Sequence, residues 1–257
     1  MVRVQLDRVS IDLPVLGRRA SSLKQTILST ATGGALGLKG GITVVSALQD
    51  VTLDLREGDR LGVVGHNGAG KTTLLRVLSG AYPPTRGTRT VAGSVATLID
   101  PALGIEPDAT GIENIMLRGL ALGRSRQEIA RSKPDIAEFS GLGDFLAMPV
   151  RTYSTGMLMR LAFSITTAFP ADVLLMDEWL SVGDAAFREQ AEARMRMMVE
   201  RSGILVLASH SPSLIDRECT RCITLEHGRV AKDAPVQTKP TLPPGQSAAR
   251  PQPSPAT

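Results

Sequence analysis

Gly65-His66-Asn67-Gly68-Ala69-Gly70-Lys71-Thr72 stands between the apolar run Leu61-Gly62-Val63-Val64 and the amphipathic run Thr73-Leu74-Leu75-Arg76-Val77-Leu78. The first run reads as a buried strand and the second as a helix. Between them the glycines let the backbone curl, so that successive N–H groups can face one anion. The start of the helix adds partial positive charge beneath it. Lys71 is of the type that reaches β- and γ-phosphates, and the Thr72 hydroxyl of the type that ligates Mg²⁺. Strand, loop and helix agree, so the chain is expected to bind a nucleoside triphosphate through Gly65 to Thr73.

A second segment supplies acid. Val173-Leu174-Leu175-Met176 is a buried parallel strand that ends in Asp177-Glu178. Open α/β sheets place ligands at the carboxyl ends of their strands. Asp177 is expected to hold Mg²⁺, and Glu178 to polarise the attacking water as a general base. Just upstream lies Tyr153-Ser154-Thr155-Gly156-Met157, which opens an apolar helix that ends near Pro170. Ser154 reads as its N-cap, and Gly156 would let a phosphate approach the backbone. Downstream, Ile204-Leu205-Val206-Leu207-Ala208 is another buried strand, followed by Ser209 and His210.

The Ser-x-Gly helix start and the lone histidine are weak signals alone, but the order of phosphate loop, Ser-x-Gly helix, Asp-Glu strand and His-ending strand is specific. It resembles the ATP-binding-cassette ATPase domain over residues 45–230. Tyr153 to Met157 is similar to that family's signature motif, with Thr155 and Met157 in place of the commoner Gly and Gln. Ser181-Val182-Gly183-Asp184 takes the place of its dimer-contact loop, and His210 that of its switch histidine. The wording of residues 177–187, Glu106–Ile115, Val9–Val15 and Ser21–Lys24 resembles the subgroup that energises export of O-antigen, capsule and teichoic acid.

The resemblance implies an α/β fold: a P-loop ATPase core with an antiparallel β portion and an inserted helical lobe at about 107–170. It implies ATP and Mg²⁺ as cofactors, an ABC-2 type permease as partner, and a homodimer of the cassette with ATP between the copies. Lys71, Thr72 and Asp177 would come from one copy and Ser154 and Gly156 from the other, with Glu178 and His210 as the catalytic pair. Two positions depart from the family. Its lobe junction commonly carries a Gln, which Ala96–Glu106 lacks; Asp100 is the nearest candidate to face the metal. The adenine-stacking aromatic is replaced by Leu13. The alternatives are a drug or lipid exporter cassette, a soluble cassette ATPase, and a module that no longer hydrolyses ATP. Intact Glu178 and His210 argue against the last.

Composition sets bounds. The chain has 257 residues, 21% charged and 42% hydrophobic, enough for a sizeable core. No uncharged apolar run is long enough to span a membrane, and no cleavable leader is visible, so a peripheral place on the cytoplasmic face of the inner membrane is expected. Net charge is +4 and the pI about 9.4. With aromatics at only 3%, base-stacking platforms for nucleic acid are not expected; anionic lipid headgroups suit the charge better. Cys219 and Cys222 do not read as a zinc site, since two further ligands are wanting, nor as a disulfide, since a reducing compartment is expected.

The chain divides into a nucleotide-binding domain at 1–233 and a tail at 234–257. Seven of the 16 prolines fall in that tail, which reads as disordered. A carbohydrate-reading domain after the cassette is therefore not expected. Val2–Val9, Val51–Leu55 and Leu61–Val64 are expected as strands. Residues 14–42 are expected to interrupt the sheet, with a short helix at Ser21–Thr30 and a loop bounded by Gly33-Gly34 and Gly40-Gly41.

Overall fold

The computed structural model describes residues 1–14, 35–39, 42–178 and 185–236. The helix expected at Ser21–Thr30, the Ser181–Asp184 loop and the tail beyond 236 lie outside these residues.

Two sheets form the core. The first is antiparallel, in the order β2-β3-β1-β5. Its strands are β1 (Arg3–Pro14), β2 (Ala35–Lys39), β3 (Ile42–Arg56) and β5 (Arg86–Ala92). The second has the order β10-β9-β4-β8-β7-β6. It comprises β4 (Arg60–Val64), β6 (Val95–Leu98), β7 (Val173–Asp177), β8 (Ile204–Ala208), β9 (Arg221–Glu226) and β10 (Arg229–Pro235). From β9 to β6 every pair is parallel, and β10 closes one edge antiparallel. The middle strands read as unbroken apolar runs because both faces are covered. All five residues of β8 are buried.

Helix α1 (Lys71–Ser79) sits between the sheets, with Leu74, Leu75, Val77 and Leu78 in a core shared with β1, β3, β4 and β8. A second core lies on the other face of the parallel sheet. There Phe187, Ala191, Met195 and Val199 of α5 (Ala185–Arg201) meet Leu174, Met176, Leu205 and Leu207.

A third core belongs to helices α2 (Gly111–Ala121), α3 (Arg126–Ser140) and α4 (Thr155–Thr167). α2 and α3 each begin with a complete capping box, Thr110 with Glu113 and Ser125 with Glu128. Both carboxyls are held below the ordinary glutamate range by hydrogen bonds: from the Thr110 backbone and hydroxyl to Glu113, and from the Ser125 hydroxyl and backbone to Glu128. Asn114 of α2 is fully buried. It accepts from Glu106 N at 2.7 Å and donates to the carbonyls of Glu106, Ala109 and Thr110. It thereby sews residues 106–110 to the helix.

The strands run further than the sequence reading. β1 continues to Pro14 and β3 starts at Ile42. Part of the interruption expected at 14–42 is itself strand. Ala35–Lys39 pairs with β3, and Lys39 stands opposite Ile42. Two residues between paired positions is hairpin spacing; the glycine pairs expected to bound a loop lie outside the described residues. At the other end β10 reaches Pro235, and Val236 N donates to Thr220 O at 2.9 Å. The ordered chain therefore passes the boundary expected at 233, because pairing with β9 uses backbone groups and tolerates a proline on an edge.

Among the described residues no helix is long and apolar enough to cross a membrane. Cys219 is buried and Cys222 partly so, both as free thiols. Burial pushes the Cys219 thiol up to about 12, which makes it a packing residue.

Candidate functional site

A cleft of about 260 Å³ opens at the carboxyl ends of β4, β7 and β8. The loop between β4 and α1 forms its floor through Asn67, Gly68, Gly70, Lys71, Thr72 and Thr73. Val45, Ser46 and Ala47 of β3 wall one side, with Gly228 beside them, and Asp177, Glu178 and His210 wall another.

The glycines are sterically required. Gly70, the N-cap of α1, has φ 109°, and a Cβ there would lie 2.8 Å from Ala47 O. At Gly65 a Cβ would meet Leu225 O at 2.4 Å. The loop is thus clamped between β3 and β9 and can only be bare backbone at these points. Gly65, His66 and Ala69 are not among the residues that line the cleft. His66 stacks obliquely on His227, with ring centroids 5.1 Å apart.

Lys71 is buried, yet its ammonium stays in the cleft. Nζ donates to Gly65 O at 2.8 Å and to His66 O at 3.3 Å. It also lies 3.2 Å from His210 Nε2, which accepts in the tautomer protonated at Nδ1. The Thr72 hydroxyl donates to Asp177 Oδ2 at 2.6 Å. A hydroxyl and a carboxylate side by side are hard oxygen donors of the kind a small divalent cation takes, with phosphate and water completing its shell.

Glu178 has φ 65°, a left-handed conformation unusual for a residue with a side chain. Its N–H donates to Ala208 O at 2.8 Å. Its two carboxylate oxygens accept from different donors: Oε1 from His210 N at 2.8 Å, and Oε2 from the Ser209 hydroxyl at 2.8 Å. Ser209 is fully buried. Its position after an apolar strand and before His210 is the signal that the sequence offered, and the reading of the sequence passed it over.

The structure brings Lys71, Thr72, Asp177, Glu178 and His210 to one cleft from three separate stretches of chain. It does not bring Tyr153, Ser154, Thr155, Gly156 or Met157 there; none lines the cleft. Ser154 caps α4 by accepting from Met157 N at 3.2 Å, and the Tyr153 hydroxyl donates to Phe145 O at 2.6 Å. Asp100 is exposed after β6 and is also absent from the lining; its charge is felt by Arg118 of α2. Leu13 packs against the central core opposite Val45, and the lining holds no Phe, Tyr or Trp among the described residues.

A family model described as ABC transporter matches residues 48–181, just over half of the chain. The chain belongs to the ABC transporter family. An ATPase activity goes with that membership. The cassette is 43% identical over 235 residues to the O-antigen export system ATP-binding protein RfbE of Yersinia enterocolitica, covering 91% of this chain and 98% of RfbE. It is 37% identical over 191 residues to the teichoic acids export ATP-binding protein TagH of Listeria monocytogenes serotype 4b, covering 74% of this chain but only 57% of TagH. Among solved structures the ATP-binding cassette MJ0796, in a dimeric post-hydrolysis state bound to ADP and Pi, superposes with a TM-score of 0.64 over 91% of this chain. At 18% identity that likeness shows the fold alone.

Proposed function

We propose that the chain is the ATP-hydrolysing subunit of an exporter that moves a polysaccharide (O-antigen, capsule or a related glycan) through an ABC-2 type permease. The observation that carries this reading is the 43% identity over nearly the whole of RfbE.

The cleft supports the following division of labour. The Lys71 ammonium, held by backbone carbonyls of its own loop, meets the β- and γ-phosphates as a charge-assisted donor. Thr72 and Asp177 would hold Mg²⁺, which neutralises charge on the phosphate oxygens when bound. Glu178 orients and deprotonates water. Hydrogen bonds from Ser209 and His210 N occupy only part of its accepting capacity, so a water can still be taken up. His210, beside Lys71, steadies the same region from the end of β8.

The Tyr153–Met157 segment lies outside its own cleft. It acts on the nucleotide of a second copy, with Ser154 and the α4 N-terminus facing the γ-phosphate. ATP then joins two identical cassettes, and hydrolysis loosens them. With no spanning helix among the described residues, the cassette works at the cytoplasmic face of the inner membrane as a peripheral subunit. Residues 107–170, as the helical lobe, meet the permease.

The test is complementation. A strain lacking its own exporter cassette, supplied with this chain and its cognate permease, should regain surface glycan. It should fail to do so with Lys71→Ala. Restoration without ATP-dependent glycan transfer in membrane vesicles would overturn the export reading.

A further inference from the structure

The cleft uses the carboxyl ends of the strands. A second cavity, of about 120 Å³, lies near the amino end of β7. It is wedged between the end of α4, the turn at 168–171 and α5.

Its walls are apolar. Phe169 and Leu174 are buried at the base, Met198 is partly buried, and Met197 stands 47% exposed at the mouth. Methionines make such a wall adaptable to an apolar chain.

Its rim is cationic. Arg194 and Arg201 line it from α5. Arg124 reaches the same turn from the end of α2: Nη2 donates to Pro170 O at 2.9 Å, and the guanidinium lies 5.4 Å over the Phe169 ring. Arg194 is paired with Asp135 and stacked on Phe139. Among the described residues neither Arg124 nor Arg201 has an ion-pair partner. Asp172, the nearby acid, already accepts from the Ser94 backbone and hydroxyl.

Two donors go unused. Arg194 Nη1 and, beside the same turn, Arg124 Nε are buried with no hydrogen-bond partner among the described residues. Buried N–H groups are nearly always satisfied, so the orphan on Arg194, which lines the cavity, calls for an acceptor.

We propose that this cavity binds a single-chain amphiphile with an anionic oxygen head. The chain lies against Phe169, Leu174 and the two methionines. The head accepts from Arg194 Nη1 and takes its counter-charge from Arg201. Arg124, Asp135 and α4 belong to the helical layer, and Leu174 and α5 to the sheet layer. An occupant therefore braces one layer against the other and acts as an effector remote from the nucleotide.

Calorimetry with dodecyl phosphate below its micelle concentration tests this on the full chain. One saturable site per chain is expected. Arg201→Gln and Met197→Asp, both at exposed positions, should each weaken binding by about tenfold or more, with ATP affinity and melting temperature unchanged. Inorganic phosphate and dodecanol, added separately, should each bind far more weakly than dodecyl phosphate. The proposal is overturned by absence of saturation, by wild-type binding in both variants, or by either half-molecule binding as tightly as the whole.

Discussion

Ser209 and Glu178, at the ends of neighbouring strands, are joined by a 2.8 Å hydrogen bond from the serine hydroxyl to Oε2 of the carboxylate. The other oxygen is held by the N–H of His210. Glu178 itself sits in a left-handed backbone conformation. A side-chain-bearing residue stays in such a conformation only when its surroundings impose it. Here the Glu178 N–H to Ala208 O bond and the two carboxylate contacts do so. The carboxylate is aimed before any nucleotide arrives.

Ser209→Ala should therefore lower kcat for ATP hydrolysis by roughly tenfold while leaving KM nearly unchanged, since aim is lost and binding is not. Steady-state kinetics measure it. A rise in KM with kcat intact would move Ser209 from positioning to binding.

Lys71→Ala should weaken ATP binding by about a hundredfold, because the cleft loses the cation that its loop carbonyls hold in place. Calorimetric titration of the purified variant with ATP checks it. Near-native affinity would remove the phosphate-loop assignment.

Asn114→Ala should cost about 2–3 kcal/mol of stability, since three carbonyls and the Glu106 N–H lose a buried partner at once. Denaturant unfolding gives the value. A loss below about 0.5 kcal/mol would mean that water replaces the amide.

The last hairpin gives a pH signature. Arg221 donates Nε to Asp233 Oδ1 at 2.8 Å and Nη2 to Oδ2 at 2.6 Å. That fork holds the Asp233 carboxyl below its ordinary range. A depressed folded pKa gives stability that is full above the unfolded value, about 4, and lost as pH falls through the folded one. Asp233→Asn should lower the melting temperature by about 1–3 °C at pH 7. The gap between variant and parent should close in acid. A constant gap down to about pH 3 would point to packing rather than charge.

What the sequence disclosed follows from how local each signal is. Gly65–Thr72 is contiguous, so its loop and helix were legible at once. Asp177, Glu178 and His210 were legible because each follows an apolar strand, and such strands converge on one edge of a parallel sheet. Ser209 was not, because a serine after a strand looks like an ordinary turn residue until its hydroxyl is seen to reach Glu178, 31 positions away. The strand at Ala35–Lys39 was hidden by the glycine pairs on either side, which mark turns and loops alike. Asp100 shows the opposite limit. Chain order brought it to the lobe junction but could not fix which way it faces, and it stands by Arg118 rather than in the cleft.

The most direct test of the account is the assembly state of Glu178→Gln with Mg-ATP, followed by light scattering during size separation. The amide keeps the shape of the side chain and loses the base. A monomer is expected without nucleotide, and with Mg-ATP a stable dimer that retains uncleaved ATP. A variant that stays monomeric and hydrolyses ATP at the parent rate would contradict both the base and the shared nucleotide.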